Sequence, residues 1–408
     1  MKKLLILLIA SGFLCVVIAE EAKEVKAETA APAVTESAPA KSFARPKLEP
    51  YGFLKGDMIY SSNSTVSFDS NTIVSPASAT GLEEEEVPYL SFTAQHSRVG
   101  LKGTAEVKGV KVGGTVEVDF FSNKNNFNTN PRLRQAYAQC IPVEGLDIRV
   151  GQQWDVFSPL NPTTNNTNAN MWYTGNYGFR RPQLRLGYTI PLEGVKPGID
   201  VCVAEGAKEG DAGPGADNLA EVPQFQGRLF VGFLDGYAIG ASGLYGMFND
   251  ERDVATWGFA ADVNLPIHAL FALKGEFAMG QNLNNSNVFS IAGSGSKGDK
   301  RKSLGFWVNA ISKPVDFFNI VVGYGMEKNT TEDLGDYVTS DYIPIESNMA
   351  FYSDLVFPIG KYFSLSVEYE LLITQLTEEG MAGAIFEMLD KESKLKAHVI
   401  DFAGKIVF

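Results

Sequence analysis

The chain has 408 residues, a formal charge of −13, 40 Gly, 27 Phe and three Cys. An acidic balance argues against nucleic acid as a partner, and three cysteines, one of them Cys15 near the start, are too few for a disulfide scaffold. His96, His268 and His398 are the only histidines and none stands in a metal-ligand spacing, so neither a metal nor another cofactor is expected.

Met1, Lys2 and Lys3 form a charged start, residues 4–17 an apolar run, and Val17-Ile18-Ala19 a small-residue cleavage site before Glu20 and Glu21. The run falls short of the roughly 20 apolar residues of a spanning helix. Phe13 and Leu14 are too bulky for a lipobox before Cys15. Residues 1–19 therefore read as a signal peptide cleaved after Ala19, and the protein as exported. Residues 20–48 are Ala, Glu, Lys and Pro in loose alternation, with Pro32, Pro39 and Pro46. They read as a disordered periplasmic tether. The alternative, a short oligomerising helix over residues 20–29, lacks heptads.

From Pro50 the text becomes segments of alternating polarity, and residues 49–408 are expected to form one domain. In the first segment Leu54, Gly56, Met58 and Tyr60 share one face, and Lys55 and Asp57 the other. Short turns are predicted near residues 107–110, 142–145, 192–197, 234–236, 265–268, 314–319 and 357–361. Seven such turns separate eight hairpins. Between the hairpins lie long loops rich in Asn, Ser, Gly, Asp and Glu, among them residues 61–88, 155–178, 281–302 and 377–395. The count predicts an all-β fold, a porin-like transmembrane antiparallel β-barrel of about sixteen strands. A soluble sandwich gives the same alternation. The chain end decides against it: Phe408, Ile406, Phe402 and Ile400 share the apolar face of a strand that stops on an aromatic, as expected of the strand that closes a barrel and carries its membrane-insertion signal.

Charge gathers in the first third of this domain. Parity places Arg98, Lys102, Arg132, Arg134, Arg149, Arg181 and Arg185 on the polar wall, with Arg228 from a later strand, alongside Glu117, Asp119 and Gln153. Arginines hold a fixed positive charge and grip carboxylate or phosphate bidentately. Each of them either meets solute or braces the wall against Glu117 and Asp119, and the excess of cations leaves some for solute. Residues 155–178 are long enough to fold into the lumen, where Phe157, Trp172 and Tyr173 would line a constriction or anchor the loop, and Asp155 would oppose the positive wall. The run 83–86, four glutamates, reads as a solvated loop tip rather than a divalent-cation site. Gly-rich residues 293–298 precede no helix, so they cradle no phosphate. No Gly-x-Ser-x-Gly elbow appears, and no enzyme activity is expected.

The order Tyr51-Gly-Phe-Leu-Lys-Gly-Asp, Ser97-Arg-Val-Gly, Glu117-Val-Asp-Phe, Arg132-Leu-Arg-Gln-Ala-Tyr, Gly151-Gln-Gln-Trp and Arg181-Pro-Gln-Leu-Arg resembles the DcaP-like family of trimeric outer-membrane porins. The resemblance covers about the first 140 residues of the barrel domain. It implies a sixteen-stranded homotrimer that takes up small anionic solutes such as dicarboxylates past an arginine-lined constriction; a barrel in the bacterial outer membrane is also expected to meet lipid and lipopolysaccharide, and small polar solutes. It departs in the tether, where the family can carry a coiled coil. Two functions remain open on the sequence: a passive channel with anion preference, or a surface barrel that tethers the envelope with its lumen closed by loops.

Overall fold

The computed structural model describes residues 6–10, 13–17, 46–66, 72–75, 87–121, 129–167, 171–206, 223–233, 236–248, 254–286, 288–293, 299–338, 343–379, 382–383, 387 and 393–408. The cleavage site, residues 20–45 of the tether, the four glutamates 83–86 and most of the Gly-rich run lie outside them. Ile6–Ala10 and Phe13–Val17 pair as an antiparallel hairpin within a unit of their own, residues 1–43.

Residues 44–408 form the second unit, a closed barrel in which every ladder is antiparallel. We number its strands β1 (Lys47–Ser61), β2 (Tyr89–Thr93 continued by Arg98–Val107), β3 (Val110–Asp119), β4 (Arg132–Ile141), β5 (Leu146–Trp154), β6 (Arg180–Thr189), β7 (Val195–Ala204) and β8 (Gln224–Phe233). The second half is β9 (Tyr237–Phe248), β10 (Val254–His268), β11 (Phe271–Gln281), β12 (Lys302–Val315), β13 (Phe318–Asn329), β14 (Ile345–Ile359), β15 (Phe363–Leu376) and β16 (Lys394–Val407). Among the described residues that makes sixteen strand positions, because both segments of β2 pair with β1, Tyr89–Thr93 along its second half and Arg98–Val107 along its first. β1 begins at Lys47, so residues 47 and 48 belong to the barrel and not to the tether. Several turns are also tighter than the sequence suggests. β10 runs on to His268, and β14 to Ile359 before turning at Gly360.

Alternation sorts the side chains. Leu54, Met58, Tyr60, Leu184, Tyr188, Ile400 and Phe402 are exposed on the outer face, while Lys55, Asp57, Gln183, Val399 and Asp401 are buried on the inner one. β16 pairs with β1 from Val399↔Ser61 to Val407↔Phe53. Phe408 then exchanges both backbone hydrogen bonds with Gly52, each 3.1 Å, so the last residue is part of the seam and neither strand is left as an edge. Gly52 has φ +150°, and a Cβ there would stand 2.3 Å from the Arg98 carbonyl oxygen; only glycine lets β1 and β2 approach at this point.

Candidate functional site: a lumen with two unlike walls

The first wall runs along β2–β8. Arg132 holds Asp119 through two bonds, Nε–Oδ1 at 2.9 Å and Nη2–Oδ2 at 2.7 Å. Arg134 reaches both Glu117 (2.8 Å) and Asp119 (2.7 Å). It can do so because the ladder slips there: Glu117 pairs with Gln135 and Val118 with Leu133, which leaves Arg134 as the extra residue of a bulge. Further along, Arg149 pairs with Asp147 (2.6 Å), Arg181 with Asp155 (2.8 Å), Arg185 with Asp200 (2.7 Å) and Arg228 with Asp262 (2.5 Å). With Arg98 beside Glu117, seven of the eight predicted cations are thus in ion pairs. Arg98 lies 3.8 Å from Glu117 and over the Phe53 ring, and Lys102 is exposed.

Exposure within these pairs is unequal. Arg132 is 33% exposed against 1% for Asp119, Arg98 20% against 6% for Glu117, Arg185 20% against 12% for Asp200, and Arg228 12% against 1% for Asp262. In these four pairs the carboxylate is the deeper partner, whereas Arg134 is buried together with Glu117 and Asp119, and Arg149 and Asp147 are equally exposed. A charge at the water boundary acts on a passing ion more strongly than one behind it, because its path is shorter.

The second wall runs along β11–β16 and onto β1, and is acidic. Glu276, Glu327, Asp354, Glu368, Asp401 and Asp57 are all buried there. Lys55 contacts Asp57 and, at 3.7 Å, Asp401, and His96 Nδ1 lies 3.0 Å from Asp57. Most of this wall is covered by chain. Residues 155–167 leave β5 and run inside the barrel, and residues 171–179 lead back to β6, with the neck closed by Asp155 N–H donating to the Phe179 carbonyl at 2.8 Å.

The path of that loop is set by polar side chains of distant strands. Val156 and Phe157 N–H donate to Gln226 Oε1 on β8. Ser158 Oγ and Leu160 N–H donate to Glu276 on β11, both at 2.8 Å. Thr163 N–H donates to Asn309 on β12, and Asn165 and Asn166 N–H to Glu368 on β15 at 2.6 and 3.3 Å. Asn165 Nδ2 reaches Asp401 on β16. Buried carboxylates without cations need donors, and a loop with unpaired N–H groups needs acceptors; each satisfies the other. The return leg presses on glycine: a Cβ at Gly175 would stand 2.3 Å from the Phe306 carbonyl oxygen, and one at Gly325 2.3 Å from that of Thr174.

One predicted role changes here and two open ones are decided. Asp155 does not oppose the positive wall; it is buried within it, bidentate on Arg181. Phe157 is fully buried with Tyr177, Leu244, Ala260, Ala278, Leu283 and Val288. Trp172 is buried too, stacked on Phe289 at 4.4 Å, with its Nε1–H donated to the Gly178 carbonyl. Both aromatics fasten the loop rather than line open space, since a large apolar ring gains most where water is excluded. Tyr173 is half-buried and meets Phe289 edge-on. Burial, with Glu327 nearby, pushes its phenol up to about 12 and raises that of Tyr177 as well, so both remain neutral.

Sequence reasoning missed Arg180. It is buried with its guanidinium over the rings of Trp154 (4.6 Å) and Phe179 (5.5 Å), and its Nη1 finds no hydrogen-bond partner among the described residues. It missed Asp147, Asp200 and Asp262 as partners as well. Their lumen parity was readable, whereas the strand each one faces was not.

No family model matches the chain, and no curated protein matches it in sequence. Solved structures do match. The outer membrane channel DcaP of Acinetobacter baumannii has a TM-score of 0.68 at 18% identity, covering 91% of this chain and 100% of that one. The barrel is porin-like. An anion-selective porin from Comamonas acidovorans gives 0.54 at 12% identity over 89% and 100% of the two chains, and OmpT of Vibrio cholerae in its trimer form 0.51 at 10% over 90% and 100%. At these identities the likeness carries the fold, in agreement with the family resemblance read from residues 51–185.

Proposed function

We propose that this protein is an outer-membrane porin, a passive diffusion channel for small hydrophilic solutes that prefers anions such as dicarboxylates. The observation that carries the reading is the unequal exposure of four ion pairs: for Arg98, Arg132, Arg185 and Arg228 the guanidinium is the partner nearer water, while the acidic wall is covered by the inward loop. A narrow aqueous path bounded on one side by Arg98, Lys102 and Arg132 and on the other by a loop whose only acid, Asp155, is paired raises the local concentration of anions and repels cations. The loop acts as the constriction, held in place by Phe157 and Trp172. The names of the solved neighbours, an outer membrane channel, an anion-selective porin and a trimer, support the location, the preference and a homotrimeric assembly. The signal peptide ending at Ala19, the insertion signal Phe402, Ile406 and Phe408, and contact with outer-membrane lipid and lipopolysaccharide belong to the same reading.

Reversal potentials across a planar bilayer in a salt gradient test it. Anion preference is expected, reduced in an Arg98→Ala/Arg132→Ala double variant. A cation-selective potential indifferent to that variant overturns the preference, and absence of any conductance favours a barrel closed by its loops.

A further inference from the structure

Three aromatic rings stand on the lumen face of the charged wall, where alternation calls for polar residues. Phe53 on β1 shares the parity of the buried Lys55 and Asp57, and Phe230 on β8 that of Gln226 and Arg228. Tyr137 on β4 accepts a hydrogen bond from the Thr115 hydroxyl of β3. All three are half-buried, so each keeps part of its surface towards the lumen. A guanidinium accompanies every one of them: Arg98 lies 5.3 Å from the centre of the Phe53 ring, Arg149 5.5 Å from that of Tyr137 and Arg228 4.9 Å from that of Phe230.

Phe230 shows how the pair is seated. Its ladder partners are both glycines, Gly198 on β7 and Gly240 on β9. A Cβ at Gly198 would stand 2.3 Å from the tip of the Phe230 ring, and one at Gly240 2.7 Å from Arg228 Nε. Ring and guanidinium therefore both rest on bare backbone, side by side, instead of standing out across the path. Arg228 gives Nε and Nη2 to Asp262, and Arg149 gives the same two atoms to Asp147; neither Nη1 has a hydrogen-bond partner among the described residues. On the acidic wall a Cβ at Gly323 would likewise meet the Tyr352 ring, but that ring is buried beneath the loop and held by Thr163 and Asn309. There glycine serves packing; at Phe230 it leaves a ring and a cation together at the water boundary.

Such a surface matches a solute that is flat and apolar at one end and anionic at the other. Stacked or edge-on rings gain more than the area they bury, and a guanidinium beside them takes the carboxylate. An aliphatic anion uses only the second contact. Phe230 also stands nearer the short turn than Gln226, to which the inward loop is tied, so solute meets it beyond the constriction.

We propose that Phe53 with Arg98, Tyr137 with Arg149 and Phe230 with Arg228 are stacking sites for aryl carboxylates, and that the channel favours flat aromatic acids over aliphatic anions of equal charge. This preference rests on the channel reading of the barrel and narrows its class of solute. Benzoate and cyclohexanecarboxylate test it, since they match in charge and carbon count and differ in the flat ring. With the full-length barrel in a planar bilayer in KCl at neutral pH, each acid is added and the concentration that halves the chloride current is read. Benzoate is expected to reach half-block at about fivefold lower concentration. The advantage should persist in Phe53→Tyr/Tyr137→Phe/Phe230→Tyr, which keeps the rings, and shrink in Phe53→Leu/Tyr137→Leu/Phe230→Leu. Equal half-block by the two acids in the unaltered protein, or block by neither, overturns the stacking sites, and so does an undiminished advantage in the Leu variant. The reversal potential in KCl alone reads the charge preference separately: cation selectivity there overturns the anion-channel reading, whereas anion selectivity without discrimination between the two acids overturns the stacking sites alone.

Discussion

Two regions of the same lumen treat buried carboxylates differently. On β2–β8, Glu117, Asp119 and Asp200 are answered by arginines from neighbouring strands, and the guanidinium groups of Arg98, Arg132 and Arg185 are left nearer the water than the acids they meet. On β11–β16, Glu276 and Glu368 are answered by backbone N–H groups of residues 158–166, and the wall is covered by chain. Both arrangements satisfy the desolvated acid, yet they leave opposite surfaces to water. Cation pairing turns an acidic wall positive; amide pairing turns one neutral and narrows the barrel at the same time. On the proposed reading, selectivity is a matter of which partner stands in front, and not of how many charges the chain carries.

The largest expected effect comes from removing a cation that two buried acids share. Arg134→Ala leaves Glu117 and Asp119 short of a partner behind the wall and is expected to lower stability by about 3–5 kcal/mol, measured as the urea midpoint of the refolded barrel. Adding Asp119→Asn should recover part of that loss if the acid is what makes it costly. On the other wall, Glu276→Ala strands the donors of Ser158, Leu160 and Trp307. About 1–3 kcal/mol is expected for the group of buried polar atoms left unpaired, and the loop should loosen before the barrel does. Limited proteolysis within residues 155–179 and a larger, noisier single-channel conductance would record it. An unchanged loop would mean that the aromatic anchors alone suffice to hold it.

A smaller change sharpens the electrostatic side of the comparison. Lys102→Glu places an acid on the exposed side of the positive wall and touches no ion pair, so stability should shift by less than about 0.5 kcal/mol while the anion preference falls; the reversal potential reads this directly. The mildest perturbation leaves the protein intact. Raising ionic strength from about 0.1 M to about 1 M shortens the screening length from about 10 Å to about 3 Å. The preference should weaken with salt and survive only for ions that pass within contact distance of the arginines. Selectivity that is independent of salt would point to pore size rather than charge.

Much of the fold is legible in the chain because a barrel strand repeats every two residues and its two faces meet different solvents. Leu54 and Met58 against Lys55 and Asp57, or Phe402 and Ile400 against Asp401, state their faces without any partner being known. Positions on the polar wall were legible for the same reason, and Arg98, Arg132, Arg181 and Arg185 lie on it. Their state was not. Asp200 is 15 residues from Arg185 and Asp262 is 34 from Arg228, separations that only the ladder register resolves. Arg134 reaches two acids through a bulge that parity counting does not anticipate. Phe157 and Trp172 looked the same as channel-lining or as anchoring residues until Leu283, Val288 and Phe289 were seen to cover them.

The sequence by itself determined a sixteen-strand alternation, the side on which the charged residues stand and the role of Phe408 as the last residue of the closing strand, since these follow from local periodicity and from the need to leave no edge unpaired. Only the tertiary structure decided which charges are neutralised, which of two paired ions faces water and where residues 155–167 and 171–179 run. Those depend on contacts between strands far apart in the chain, and the strength of a charge in a channel is set by its depth and its partner, quantities that no single segment contains.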